Sequence, residues 1–199
     1  MEDIEAKCND FLSGFLDYTV ERLTSITRYN TRKFIKPQSV MQHLGSTTLI
    51  AMLLSDYFNK VGIKNNTEEV MRMAIIHDAD EVVSGDIPHD AKYEVEFSKE
   101  LRETLNKLTN YTMHTMLGMI KDKEIEEKYM KLYDDEKVRT SVEAKIAKLA
   151  DIGDVIIYAR HEKKLGNVSM SAEENNASKG FKSLLASILA ENQVSGKNE

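Results

Sequence analysis

The stretch "HDADEVVSGDIP" at 77–88 brings one imidazole, His77, together with four carboxylates, Asp78, Asp80, Glu81 and Asp86. Residues of these types can hold a divalent cation or move a proton. A His-Asp neighbour is weak evidence by itself, since shuffling a chain with 5 histidines gives about 0.3 such pairs. Two residues elsewhere make it informative. His43 comes directly after "SVMQ", where Ser39 and Gln42 have the spacing of a helix capping box. Asp151 interrupts the apolar stretch "KIAKLADIGDVIIYA" at 145–159, where a carboxylate needs a partner. His43, His77, Asp78 and Asp151 together form a mixed nitrogen and oxygen donor set that leaves room for water on one divalent metal. Buried ion pairs and capped helix ends would account for the same residues without a metal.

The elements that must position these groups read as helices throughout. Glycine (9) and proline (2) are scarce, while methionine (10) is frequent, a mix that favours helix. Ile4, Cys8, Phe11, Leu12, Phe15, Leu16, Val20 and Leu23 recur at steps of three and four, defining a first amphipathic helix with Cys8 on its apolar face. A polar stretch at 27–39 separates it from a second helix over Val40–Lys60, which places His43 in that helix's first turn. Thr67 is the expected cap of a third helix carrying "EEVMRMAIIHDADEVV", with His77, Asp78 and Glu81 sharing one face near its end. The segment 84–92 reads as a turn, followed by helices near 97–120 and 123–136. A long helix is expected from Val138 to Lys164, and a last one from a Ser171–Glu174 capping box to Ala190. The expected architecture is an all-α helical bundle, one domain over 1–190 with a disordered tail at 191–199.

With 27 basic and 33 acidic residues, net −6, the chain lacks the basic footprint of a nucleic-acid polymer binder. An anionic ligand would have to be met locally, by a few cations or a metal. The single cysteine forms no internal disulfide, and the acidic "MEDIEAK" start is unlike a signal peptide, so a cytoplasmic protein is expected. The apolar run "LIAMLL" at 49–54 is too short for a membrane span.

The order His43, then "HD" at 77–78, then Asp151 after "KLA" resembles the signature of HD-domain metal-dependent phosphohydrolases. The likeness is strongest to bacterial HD-domain 5′-deoxynucleotidases and the related small deoxynucleotide hydrolases of phages. It extends over "RY" at 28–29, "SVMQHL" at 39–44, "HDADEVVSGDIP" at 77–88, Lys92 and "AKLADIGDVIIY" at 147–158. The resemblance implies a helical bundle of the HD type and one divalent ion (Co, Mn, Zn or Mg) on His43, His77, Asp78 and Asp151. It implies that Glu81 is the general acid/base, acting beside Asp78 at the catalytic centre. Asp86 would read the sugar 3′-hydroxyl, Arg28 and Lys92 would meet phosphate oxygens, and Tyr29 would lie against sugar or base. A metal polarises a phosphoryl oxygen and activates water, and a positioned acid protonating the leaving oxygen adds roughly 10²–10⁴-fold. Gln42 stands where the family usually has an acid, Tyr29 where it commonly has tryptophan, and "HDAK" at 89–92 departs after "GDIP".

The expected activity is hydrolysis of a deoxynucleoside 5′-monophosphate to deoxynucleoside and phosphate. The four cations Arg28, Arg32, Lys33 and Lys36 keep open a deoxynucleoside triphosphohydrolase, as in phage nucleotide-pool editing. An alarmone hydrolase ranks lower, and a non-catalytic helical interaction module is the reading from another class. By resemblance the partner is a deoxynucleotide and the assembly a homo-oligomer, in a cell's cytoplasm or, for a phage protein, its host's. Plainer roles stand beside these: Asp80 and Glu81 as surface acids, Asp86 as a turn former, Arg28 as an exposed cation, and Asp154 as a solvated acid or the partner of a ligand. His89 would line the pocket, His114 and His161 would be surface or packing residues, and Met71, Met73, Met113, Met116 and Met119 would fill core and interface.

Overall fold

The computed structural model describes residues 2–87, 92 and 96–195, and among these the chain is helical with no strand. In chain order the helices are α1 (Glu2–Asp10), α2 (Asp17–Ser25), α3 (Val40–Lys60), α4 (Thr67–Ile76), α5 (Glu81–Ser84), α6 (Ser98–Gly118), α7 (Lys123–Val138), α8 (Val142–Lys164) and α9 (Ser171–Ser195). A π-helical turn, Phe11–Leu16, joins α1 to α2, and a 3₁₀ turn, Val168–Met170, leads into α9. No helix among the described residues is long and apolar enough to cross a membrane. The chain divides into two compact units. One comprises Met1–Lys33, Pro37–Gln42 and Asp78–Lys131, the other Phe34–Lys36, His43–His77 and Leu132–Glu199.

In the second unit α8 packs against α4 and α9. Its buried face sets Ala144, Ala147, Ala150, Gly153 and Ala159 among Ile146, Leu149 and Ile156. Three acids, Asp151, Asp154 and Glu162, are buried on the same helix. Glu162 accounts for the segment 34–36. Its carboxylate accepts the backbone N–H of Ile35 (2.9 Å) and Lys36 (2.7 Å) and the amide of Asn167 (2.8 Å), while Tyr158 donates to the Lys36 carbonyl (3.1 Å). Burial works against the ionised carboxyl, but these donors outweigh it and hold Glu162 below its ordinary pKa.

In the first unit α5 packs on α2 and α6, and Met113 and Met116 of α6 are core residues, as expected, beside Leu117. A single antiparallel bridge, Thr27 to Ser39, closes the polar stretch, with Arg28 N–H bonded to the Gln38 carbonyl (3.0 Å) and Val40 N–H to that of Ile26 (2.9 Å). The Ser39–Gln42 capping box forms as expected: Ser39 N–H donates to the Gln42 side chain (2.9 Å) and Gln42 N–H to the Ser39 hydroxyl (3.2 Å).

Several boundaries differ from the sequence reading. Asn66, not Thr67, caps α4, accepting from the N–H groups of Glu68 (3.1 Å) and Glu69 (3.4 Å). The Thr67 hydroxyl instead takes a bond from Ser55 (2.7 Å) and gives one to Asp56 (3.2 Å). The third helix does not continue to Val83. It ends at Ile76, and i→i+3 bonds from Glu81 N–H to the Asp78 carbonyl (3.1 Å) and from Val82 N–H to that of Ala79 (3.2 Å) tighten the chain before α5. His77 and Asp78 therefore lie just past the helix end, and Glu81 starts a separate helix, so the three do not share a continuous helical face.

The long helix starts at Val142, because the Ser141 hydroxyl caps it by accepting Ala144 N–H (3.1 Å). Ser171 makes no capping box; its hydroxyl donates back to the Val168 carbonyl (2.8 Å), and Glu174 pairs with Arg160 and Lys163. Helix α9 runs through Ser195, five residues beyond Ala190, so 191–195 are helical; 196–199 lie outside the described residues. Cys8 is exposed rather than a core residue. The expected turn at 84–92 is described only at 84–87 and 92, and His89 falls outside it.

Candidate active site

Within the second unit His43, His77 and Asp151 converge, each buried, with exposures of 0%, 4% and 8%. The bonds made by the far side of each imidazole fix its tautomer. His43 Nδ1 faces the Asp154 carboxylate at 2.6 Å, and His77 Nδ1 faces the Ala74 carbonyl at 2.8 Å. Both partners can only accept, so in each neutral ring Nδ1 carries the proton and Nε2 keeps its lone pair. The two Nε2 atoms are 3.2 Å apart, and Asp151 Oδ1 lies 3.2 Å from the first and 3.7 Å from the second.

Three electron-rich atoms facing one another repel unless a cation stands among them. Ligands about 2.0–2.1 Å from a common zinc-like ion, at right to tetrahedral angles, stand about 2.8–3.4 Å apart, a range that holds two of the three distances and lies just short of the third. The donor set and its spacing fit a divalent metal. The other oxygen of Asp151, Oδ2, is paired with Lys148. Burial pushes the Asp151 carboxyl up, but the Lys148 ammonium beside it more than offsets this and holds it well below the ordinary carboxylate range. Lys137 donates to the His77 carbonyl (2.6 Å), satisfying an acceptor left over at the end of α4.

The first unit holds the remaining expected groups. Glu81 is not a surface acid: it is 5% exposed, and its Oε2 has no hydrogen-bond partner among the described residues. Burial first, then the charges of Asp78 and Asp86, push its carboxyl up to about 9 against the pull of Arg28 and Lys92. A carboxyl in that range is protonated at neutral pH and can donate. Asp86 accepts the backbone N–H of Tyr29 on Oδ2 (2.5 Å), and its carbonyl takes the Asn30 amide (3.0 Å). Tyr29 has φ +54°, the left-handed region, and Asp86 holds it there. The Arg28 guanidinium lies 5.3 Å from the centroid of the Tyr29 ring. Asp80, half-buried, accepts from the Thr109 hydroxyl (3.0 Å). Arg28, Tyr29, Asp78, Asp86 and Lys92 are all half-buried, while Arg32, Lys33 and Lys36 are exposed.

Lys148, Glu162 and Asn30 take part in these arrangements without having been singled out, and Asp154, read as a solvated acid or the partner of a ligand, is buried and bonded to His43. For Asp154 and Lys148 a signal was present: both stand three residues from Asp151 in α8, hence on its side of the helix. Asn30 and Glu162 bond partners 56 and 127 residues away, which no local pattern reveals. His114 is an exposed residue 3.5 Å from Glu126.

Known proteins are similar to this chain in sequence and share its architecture. A curated 5′-deoxynucleotidase of Shewanella oneidensis is 28% identical over 167 residues, 83% of this chain and 81% of its own. The 5′-deoxynucleotidase YfbR of Escherichia coli is 25% identical over 149 residues, 74% and 72% of the two chains. Among solved structures, an HD-domain phosphohydrolase of Listeria innocua superposes with a TM-score of 0.64 at 23% identity, over 88% of this chain and 79% of its own. The HD phosphohydrolase of cyanophage S-2L, bound to dA and one catalytic Zn²⁺, superposes with a TM-score of 0.55 at 16% identity, over 92% and 96%. The fold is that of the HD-domain phosphohydrolases. The model of the YfbR-like 5′-deoxynucleotidases matches residues 15–191, and the chain belongs to that family.

Proposed function

We propose that this protein is a metal-dependent 5′-deoxynucleotidase, hydrolysing a deoxynucleoside 5′-monophosphate to deoxynucleoside and phosphate. The observation that carries the reading is the buried meeting of His43, His77 and Asp151, with both imidazole Nε2 lone pairs and one carboxylate oxygen turned to a common point. Asp78, bonded in sequence to His77, is the fourth ligand in this reading. A bound divalent cation supplies a Lewis acid for the phosphoryl group. The rest is the work of side chains. As water forms a new bond to phosphorus and the P–O5′ bond breaks, protonated Glu81 gives its proton to O5′, and Arg28 and Lys92 offset the charge of the phosphate oxygens. Asp86, with Oδ2 committed to Tyr29 N–H, has Oδ1 for the sugar 3′-hydroxyl, and the Tyr29 ring lies against sugar or base. The metal's identity stays among Co, Mn, Zn and Mg.

The reading takes 1–190 as one functional domain, supported by a family match over 15–191 that includes residues of both units. It includes a homo-oligomer, supported by the exposed stripe Leu49, Leu53 and Tyr57 on α3, and a cytoplasmic setting like that expected from the sequence. A second reading, triphosphohydrolysis of a deoxynucleoside triphosphate, draws support from the cation-rich loop Arg28, Arg32, Lys33 and Lys36. One assay separates them: purified protein with Co²⁺ or Mn²⁺ against all deoxy- and ribonucleoside mono- and triphosphates, products resolved. Inorganic phosphate from deoxynucleoside monophosphates alone is expected. Intact triphosphate from a deoxynucleoside triphosphate would move the assignment to the second reading, and silence with no metal bound would leave a non-catalytic module.

A further inference from the structure

Asp154 has no role in the reaction just described, yet it is built into the same buried cluster. It is 3% exposed, and both of its carboxylate oxygens are committed. Oδ2 accepts from His43 Nδ1 at 2.6 Å, and Oδ1 accepts from the Ser46 hydroxyl at 2.5 Å. Ser46 stands three residues after His43 on α3, with its Oγ 3.1 Å from the His43 carbonyl. Thr47 Oγ1 lies 3.3 Å from His43 Nδ1, on the side away from the convergence point. Burying a carboxylate costs stability even when it is paired, so an apolar residue would serve a purely structural purpose better. What an apolar residue cannot do is hold a proton on Nδ1. An imidazole whose Nδ1–H is held by a carboxylate presents a fixed, more basic Nε2, the arrangement that orients histidine ligands of metals in general.

We propose that Asp154 is a positioning residue of the metal centre. It locks His43 in the Nδ1–H tautomer and aims Nε2 at the point shared with His77 and Asp151, while Ser46 holds the Asp154 carboxylate in register. The proposal rests on the metal-binding reading. It assigns the carboxylate behind His43 to α8, because Gln42, the residue just before His43, spends its side chain on the Ser39 cap.

The test compares the chelator-treated, refilled protein with Asp154→Ala, Asp154→Asn and Ser46→Ala. Co²⁺ affinity is measured by competition with a chelator, and the His43 tautomer is read from long-range ¹H–¹⁵N spectra of the metal-free protein. Asp154→Ala is expected to weaken Co²⁺ binding about 10–100-fold and to release the Nδ1–H preference, with Asp154→Asn falling between it and the parent. Ser46→Ala is expected to weaken binding several-fold with an unchanged melting temperature of the metal-free protein. Parent-like Co²⁺ affinity and an unchanged tautomer in folded Asp154→Ala would overturn the proposal, as would a loss of stability with neither readout moved. If the Asp154 variants do not fold, parent-like affinity in Ser46→Ala overturns it. A parent that binds no Co²⁺ would overturn the metal reading too, and the tautomer spectra would still show separately whether Asp154 governs His43.

Discussion

At the scale of single residues, the buried acids do opposite things for one physical reason. Asp151 and Glu81 are both removed from water, which favours the neutral form of each. Asp151 has the Lys148 ammonium beside it and is held ionised, whereas Glu81 has Asp78 and Asp86 beside it and is held protonated. Asp151→Ala is therefore expected to abolish metal binding and turnover while the far-ultraviolet helical signal persists; full activity would remove Asp151 from the site. Glu81→Gln should keep the metal and lose roughly 10²–10⁴-fold in turnover. The same variant tests the protonation state. With the folded carboxyl raised from 4.5 to about 9, the folded chain holds a proton that the unfolded chain has released between those values, so stability declines as pH rises through that window. In chelated protein the melting temperature of Glu81→Gln minus that of the parent should grow from pH 5 to pH 9. A pH-independent difference would show that Glu81 is not held protonated.

At the scale of elements, apolar periodicity located the helices well and their ends less well. Val138, three residues before Ser141, fits the apolar register that α8 continues, so only the Ser141 cap marks the break. Helix α4 stops at Ile76 although the residues that follow have no Gly or Pro until Gly85; tight i→i+3 bonds, not composition, end it there. The 34–36 segment owes its placement to Glu162, whose carboxylate takes three donors at 2.7–2.9 Å. Glu162→Ala leaves two backbone N–H groups without their acceptor. It should lower unfolding free energy by about 1–3 kcal/mol in urea titrations, and a change within 0.5 kcal/mol, about the size of an ordinary surface substitution, would show that the clamp is dispensable.

At the scale of the whole molecule, a metal that binds only the folded chain must stabilise it. Co²⁺ at about 100 times its dissociation constant should add about 2.7 kcal/mol to the unfolding free energy, an increment that Asp151→Ala should lose. An equal gain in that variant would mean that the ion binds elsewhere. The sequence by itself determined the helical class and the order of the motifs, because helix periodicity and residue type are local properties written in every few residues. It also carried the family resemblance through the spacing of His43, His77, Asp78 and Asp151. Tertiary structure alone decided which of those groups meet and in what state. The tautomers of His43 and His77, the pairing of Asp151 with Lys148, the burial that protonates Glu81 and the grip of Asp154 on His43 each depend on atoms brought together from distant parts of the chain or on their removal from water. Neither proximity nor dielectric surroundings is encoded by any short stretch of residues.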